Sequence, residues 1–204
     1  MFVSPVLVPQ LLAFPHHAAV GTNDVWSETP MDQVQLTAIL TDADRRVATS
    51  PLSNPPEHRH VFLTQGGWRW HWLALQSSGS FALTRPLGTG IVLNRSDLAA
   101  GRVYNGRQIG GTRSLSAVIA HETTHDMIRR HFSILDSAFF PTWLTEGYCD
   151  HVAGESSLTA EEVARLKTRG QSHPAVLYYE GREKVSSMLA ANGGSVDRLF
   201  AEAD

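Results

Sequence analysis

The chain has 204 residues, the size of one domain, with 42% hydrophobic and 18% charged residues and a formal net charge of −3. That balance excludes the broad basic face that phosphate backbones require, so no nucleic-acid partner is expected. A single cysteine, Cys149, excludes a disulfide framework and an all-cysteine metal site.

Residues 1–28 read as an apolar N-terminal arm. No Asp, Glu, Lys or Arg precedes Asp24, and Pro5, Pro9 and Pro15 interrupt the apolar run from Met1 to Phe14. This is neither the roughly 20 apolar residues of a spanning helix nor a signal peptide with a basic start. An arm packed on the domain and the remnant of an anchor or export segment both fit. Membrane association through this segment, and the compartment, therefore stay open.

A helix is predicted from Thr29 as N-cap, with Pro30 in the first turn and Asp32 three residues after the cap. It runs to Ser50, where Pro51, Pro55 and Pro56 stop it. His60–Thr64 reads as a strand and Trp68–Leu75 as a short helix, with Trp68 and Trp72 one turn apart on a core face. Phe81–Thr84 and Ile91–Asn94 are two further strands, linked through Pro86, Gly88 and Gly90. Asn105-Gly106 is a hairpin signal flanked by Val103-Tyr104 and Arg107–Ile109, and Gly110-Gly111 ends the sheet region.

The second half is helical. Helices are predicted at Ser114–His131, at Pro141–Ala153 before Gly154, from a Thr159/Glu162 capping box to Gly170, and at Pro174–Ala191. The expected fold is a single α+β domain, with a small mixed sheet over residues 29–111 packed on a helical region over 112–204.

His121-Glu122-Thr123-Thr124-His125 is an H-E-x-x-H pentad inside the first of these helices. Residues i and i+4 lie about 40° apart around a helix, so both imidazoles can reach one zinc ion. Glu122 lies about 100° from His121, placed to act as a general base on water at the metal rather than as a ligand. A catalytic zinc takes three protein ligands. Glu146, in Trp143-Leu144-Thr145-Glu146-Gly147, is the candidate third, because an acid framed by Trp143, Leu144, Tyr148 and Val152 needs a buried countercharge. His131, ten residues after His121, is the rival. It lacks the glycine that would turn the chain back to the metal, since Ile128 stands there, and on a continued helix it points about 240° away from His125. Asp150, one turn after Glu146, is a candidate to orient His121 through its second ring nitrogen, a surface acid being the plain alternative. Cys149 is assigned to packing and His151 to solvent.

His121–His125 followed by Trp-x-x-Glu-Gly resembles the gluzincin metallopeptidases, the group of thermolysin and the zinc aminopeptidases. The resemblance covers Ser114 to about Gly194. It implies one Zn2+ per chain held by His121, His125 and Glu146, with Glu122 as general base and Asp150 in the orienting position. Tyr178-Tyr179-Glu180-Gly181 resembles the Tyr-x-x-Gly of the aminopeptidases, which implies Tyr178 as donor to the oxyanion. A peptide or protein substrate is implied, held on a sheet edge strand for which Ile91–Asn94 is the candidate. No Gly-x-Met-x-Asn element is present to recognise a free amino terminus, which points to an endopeptidase. A zinc-binding scaffold without catalysis is the alternative reading.

Overall fold

The computed structural model, which describes residues 8–55, 57–84 and 90–202, has a 3-10 turn at Pro9–Leu12 and then a hairpin where the sequence predicts only an apolar arm. Strands β1 (His16–Val20) and β2 (Asn23–Ser27) pair antiparallel around Gly21, whose φ of 58° suits glycine. Alternate residues of β2 are buried, a two-residue period hidden in the sequence by the polar Asn23 and Asp24. Residues 1–7, Pro56 and the Pro86–Gly88 part of the predicted link lie outside the described residues.

Helix α1 (Gln33–Val47) buries Leu36, Ile39, Leu40, Ala43 and Val47 along one stripe. Its N-cap is Asp32, which accepts the Gln35 N–H at 2.8 Å, and not Thr29 as expected. The first helical residue is Gln33, four after Thr29, and Thr29 donates its N–H to Ser27 Oγ.

Strand β3 (Arg59–Leu63) runs parallel to β2, and helix α2 (Trp68–Ala74) crosses from it toward β4 (Ala82–Thr84) and β5 (Gly90–Leu93). The sheet order is β1-β2-β3-β5-β4, with β5 parallel to β3 and β4 antiparallel to β5. Val61, Leu63, Ile91 and Leu93 face the core under α1, whereas Phe62 and Val92 face Trp70 and Leu73 of α2. Trp68 and Trp72 are not core residues: they are 60% and 42% exposed, while Trp70 is 1% exposed. Positions two apart lie about 200° apart on a helix, so burying Trp70 turns both neighbours outward.

A three-stranded antiparallel meander follows, β6 (Arg95–Asp97), β7 (Arg102–Tyr104) and β8 (Thr112–Ser114). The strand predicted at Arg107–Ile109 is loop. Asn105 donates its N–H to Gly111 O at 3.2 Å, and the chain re-enters the sheet only at Thr112.

The remaining elements are α3 (Leu115–Phe132), α4 (Ile134–Ser137), α5 (Thr142–Ala153), α6 (Ala160–Thr168), α7 (Pro174–Ala191) and α8 (Val196–Ala201). Helix α3 lies against the sheet through Leu115, Val118 and Ile119, and its far half packs with α5, α7 and α8 through Ile128, Tyr148, Val185 and Phe200. The fold is α+β, with a mixed sheet in the N-terminal half and helices in the C-terminal half. No helix among the described residues is long and apolar enough to cross a membrane.

Candidate metal centre and its cleft

Helix α3 starts in a fixed place. Leu115 N–H donates to Gly101 O at 2.9 Å, and Glu155 accepts from both the N–H and the hydroxyl of Ser114. Two turns on, His121 and His125 stand with ring centroids 5.0 Å apart. Glu146 reaches them from α5, its Oε2 lying 3.2 Å from His121 Nε2 and its Oε1 3.6 Å from His125 Nε2. Donors around a tetrahedral zinc with bonds of about 2.0–2.1 Å are about 3.3 Å apart. The two Glu146–histidine distances are close to that separation, and imidazole and carboxylate are both zinc donors.

Asp150, one turn along α5 from Glu146, lies behind His121 and is fully buried. Its Oδ1 is 2.8 Å from His121 Nδ1 and 2.9 Å from Arg113 Nη1 of β8. That contact occupies Nδ1 and leaves Nε2 facing Glu146. Burial works against ionised Asp150, but Arg113 and His121 outweigh it and hold the carboxyl down at about 2. Burial also works against a charged His121, but Asp150 and Glu146 on either side raise it to about 10. Burial lowers His125. Glu146 is lowered because its two histidines outweigh its own burial.

Glu122 is 8% exposed and accepts the Thr84 hydroxyl at Oε2, 2.6 Å away. Thr84 belongs to β4, and β4 is the sheet edge beside α3. The strand expected at that edge, Ile91–Asn94, is β5, which is interior because β4 returns antiparallel along its outer side. The segment Gly79–Thr84 forms one wall of a cleft of about 320 Å³ whose floor carries His121, Glu122, His125 and Glu146. Tyr178 of α7 also lines the cleft. Its phenol is raised by burial and by the nearby charges of Glu146 and Asp150, which keeps it a proton donor.

Tyr178 reaches the cleft because α5 and α7 touch backbone to backbone. A Cβ on Gly181 would stand 2.3 Å from Trp143 O, and one on Gly147 would stand 2.5 Å from the Gly181 carbonyl carbon. Only glycine at both positions permits this approach, and it brings the turn before Gly181 beside Glu146.

His131 is remote from this group: it bonds Asp197 of α8 at 2.6 Å and packs edge-on against Phe132. His151 is not a solvent residue. It is half-buried between α5 and α7, with Nδ1 2.8 Å from Ser186 Oγ. Cys149 packs among Ile128, Leu144 and Tyr148, but one ligand atom each of Cys149, His121 and His125 also lie within 4.8 Å of one another. Its spacing of three from Glu146 is the sequence signal for that proximity. Burial and the carboxylates of Glu146, Glu122 and Asp150 push its thiol well above the ordinary range. Glu146 differs from Cys149 in offering an oxygen to each Nε2 atom, at 3.2 and 3.6 Å. Thr84, Arg107 and Arg113 carry no motif, and only the fold brings them to the cleft.

No protein-family model, curated protein or solved structure matches this chain, so its functional reading rests on the chemistry of the cleft.

Proposed function

We propose that the chain is a zinc-dependent hydrolase that cleaves peptide bonds. The reading is carried by one arrangement: Glu146 oxygens at 3.2 and 3.6 Å from two Nε2 atoms, with Glu122 on the cleft side of the same helix. His121, His125 and Glu146 would hold the ion, which when bound polarises a carbonyl and acidifies water.

The chain's own groups then divide the work. Asp150 fixes the ring of His121 through Nδ1. Glu122, with Oε2 held by Thr84, uses Oε1 to take a proton from the attacking water and passes it to the departing amine. Tyr178 donates to the carbonyl oxygen as it gains negative charge. The outer edge of β4 offers main-chain groups to an extended peptide.

The test is zinc content by elemental analysis together with hydrolysis of a peptide library. One zinc per chain is expected in the wild type and Glu122→Gln, and none in Glu146→Ala, with hydrolysis in the wild type alone. A wild type that takes up no zinc overturns the proposal. Zinc uptake without hydrolysis of any peptide would leave a zinc-binding scaffold.

A further inference from the structure

Three arginines line the cleft, Arg107, Arg113 and Arg129. Two are neutralised by acids outside its lining: Arg113 pairs with Asp150 at 2.9 Å, and Arg129 pairs with Asp126. Arg107 has no ion-pair partner among the described residues. The acids of the lining, Glu122 and Glu146, are engaged by Thr84 and by the two histidines. They would also balance the charge of a divalent ion, which would leave Arg107 as the uncompensated cation of the loaded cleft among the described residues.

The backbone of Arg107 is held in place, while its side chain is exposed. Its N–H donates to Asn105 Oδ1 at 3.0 Å, and Asn105 N–H closes the loop on Gly111 O at 3.2 Å. A Cβ on Gly111 would lie 1.9 Å from the Arg107 carbonyl oxygen, and one on Gly110 would lie 2.8 Å from Leu158 Cδ2. The loop is therefore a closed turn packed on the 157–158 segment. From it the guanidinium reaches Gly79, with Nη2 3.3 Å from where a Gly79 Cβ would stand, and its charge acts on Tyr178, another lining residue. His173 also lines the cleft and accepts the Ala175 N–H at Nδ1, which puts its ring proton on Nε2 as a further donor.

We propose that the cleft selects peptides carrying a carboxylate close to the scissile bond and that Arg107 grips that carboxylate. The inference rests on the peptidase reading but is tested apart from it. The guanidinium fork binds a carboxylate through paired charge-assisted hydrogen bonds, and the group comes from an acidic side chain or from the peptide's own terminus.

Binding is measured by calorimetry on zinc-loaded Glu122→Gln protein, with and without Arg107→Gln, so that no turnover is needed. One arm compares N-acetyl tetrapeptides bearing a terminal acid or amide. The other compares doubly blocked peptides with Glu or Gln at successive positions. In one arm the carboxylate member should bind about tenfold tighter, and Arg107→Gln should bring that ratio close to one. The responding arm identifies the source of the carboxylate. Ratios within twofold in both arms, a preference that survives Arg107→Gln, or no binding of any peptide overturns the proposal. A carboxylate preference in binding without hydrolysis by the wild type would remove the peptidase reading and leave the carboxylate site standing.

Discussion

Thr84 Oγ1 donates to Glu122 Oε2 across 2.6 Å, tying the last strand of the sheet to the helix that carries both histidines. The contact occupies one carboxylate oxygen of a residue that lines the cleft. It also makes the edge strand and Glu122 one unit, so under the proposed function a peptide laid along β4 would arrive in register with Glu122.

Thr84→Val should lower kcat on a cleaved peptide about tenfold, in keeping with the loss of one hydrogen bond to a charged group. Thr84→Ser, which keeps the hydroxyl, should restore most of the rate, and zinc content should be unchanged in both. Equal rates for the Val and Ser variants would show that the hydroxyl does not orient Glu122.

The group on α3 and α5 was legible because its signals are local. A pentad within one helix and a Glu146/Asp150 pair one turn apart need only helical periodicity to share a face. Tyr178 was legible only with Gly181, and the reason is visible in the α5–α7 contact. Thr84, Arg113 and Arg107 could not be found in this way, since strand pairing and a loop closure bring them to the cleft from distant sequence. In the N-terminal half, the β1–β2 hairpin was hidden by its histidines and by Asn23 and Asp24. The tryptophan helix misled because Trp68 and Trp72 outnumber the single buried Trp70.

The contact between α5 and α7 predicts a sharp contrast among glycines. Gly181→Ala and Gly147→Ala must each push two backbones apart, and each should cost about 1–3 kcal/mol or more in urea unfolding. Gly67→Ala, with nothing within 4 Å of its Cβ, should be near neutral by comparison. Equal midpoints for Gly181→Ala and Gly67→Ala would contradict the close approach.

His121 gives the metal-free protein a pH signature. Its folded pKa, raised to about 10 by Asp150 and Glu146, stands above the unfolded value of about 6.5. The stability it contributes is therefore fully present below about pH 6.5 and is lost as pH rises through about 10. Asp150, held at about 2, acts oppositely: its contribution is present above the unfolded value of about 3.9 and is lost as pH falls through about 2. Urea midpoints in chelator should therefore decline from pH 7 to 10. Under the proposed function zinc would take the place of the His121 proton, so zinc affinity should rise over the same interval. Midpoints in chelator that stay level or climb across that interval would speak against a charged His121.

Asp150 has two tasks that mutation can separate. It orients His121, and it supplies the only carboxylate within 4 Å of the Arg113 guanidinium among the described residues, an ion pair 4% and 0% exposed on its two sides. Asp150→Asn should weaken zinc binding about 10- to 100-fold in chelator competition. It should also destabilise the metal-free protein by about 3–5 kcal/mol, because Arg113 is left as an unpaired buried charge. Adding Arg113→Met removes that charge and should recover much of the stability in urea, while zinc affinity stays low because the imidazole still lacks its carboxylate. Should the double variant regain zinc affinity together with stability, the loss in Asp150→Asn came from the stranded arginine and not from the ring of His121.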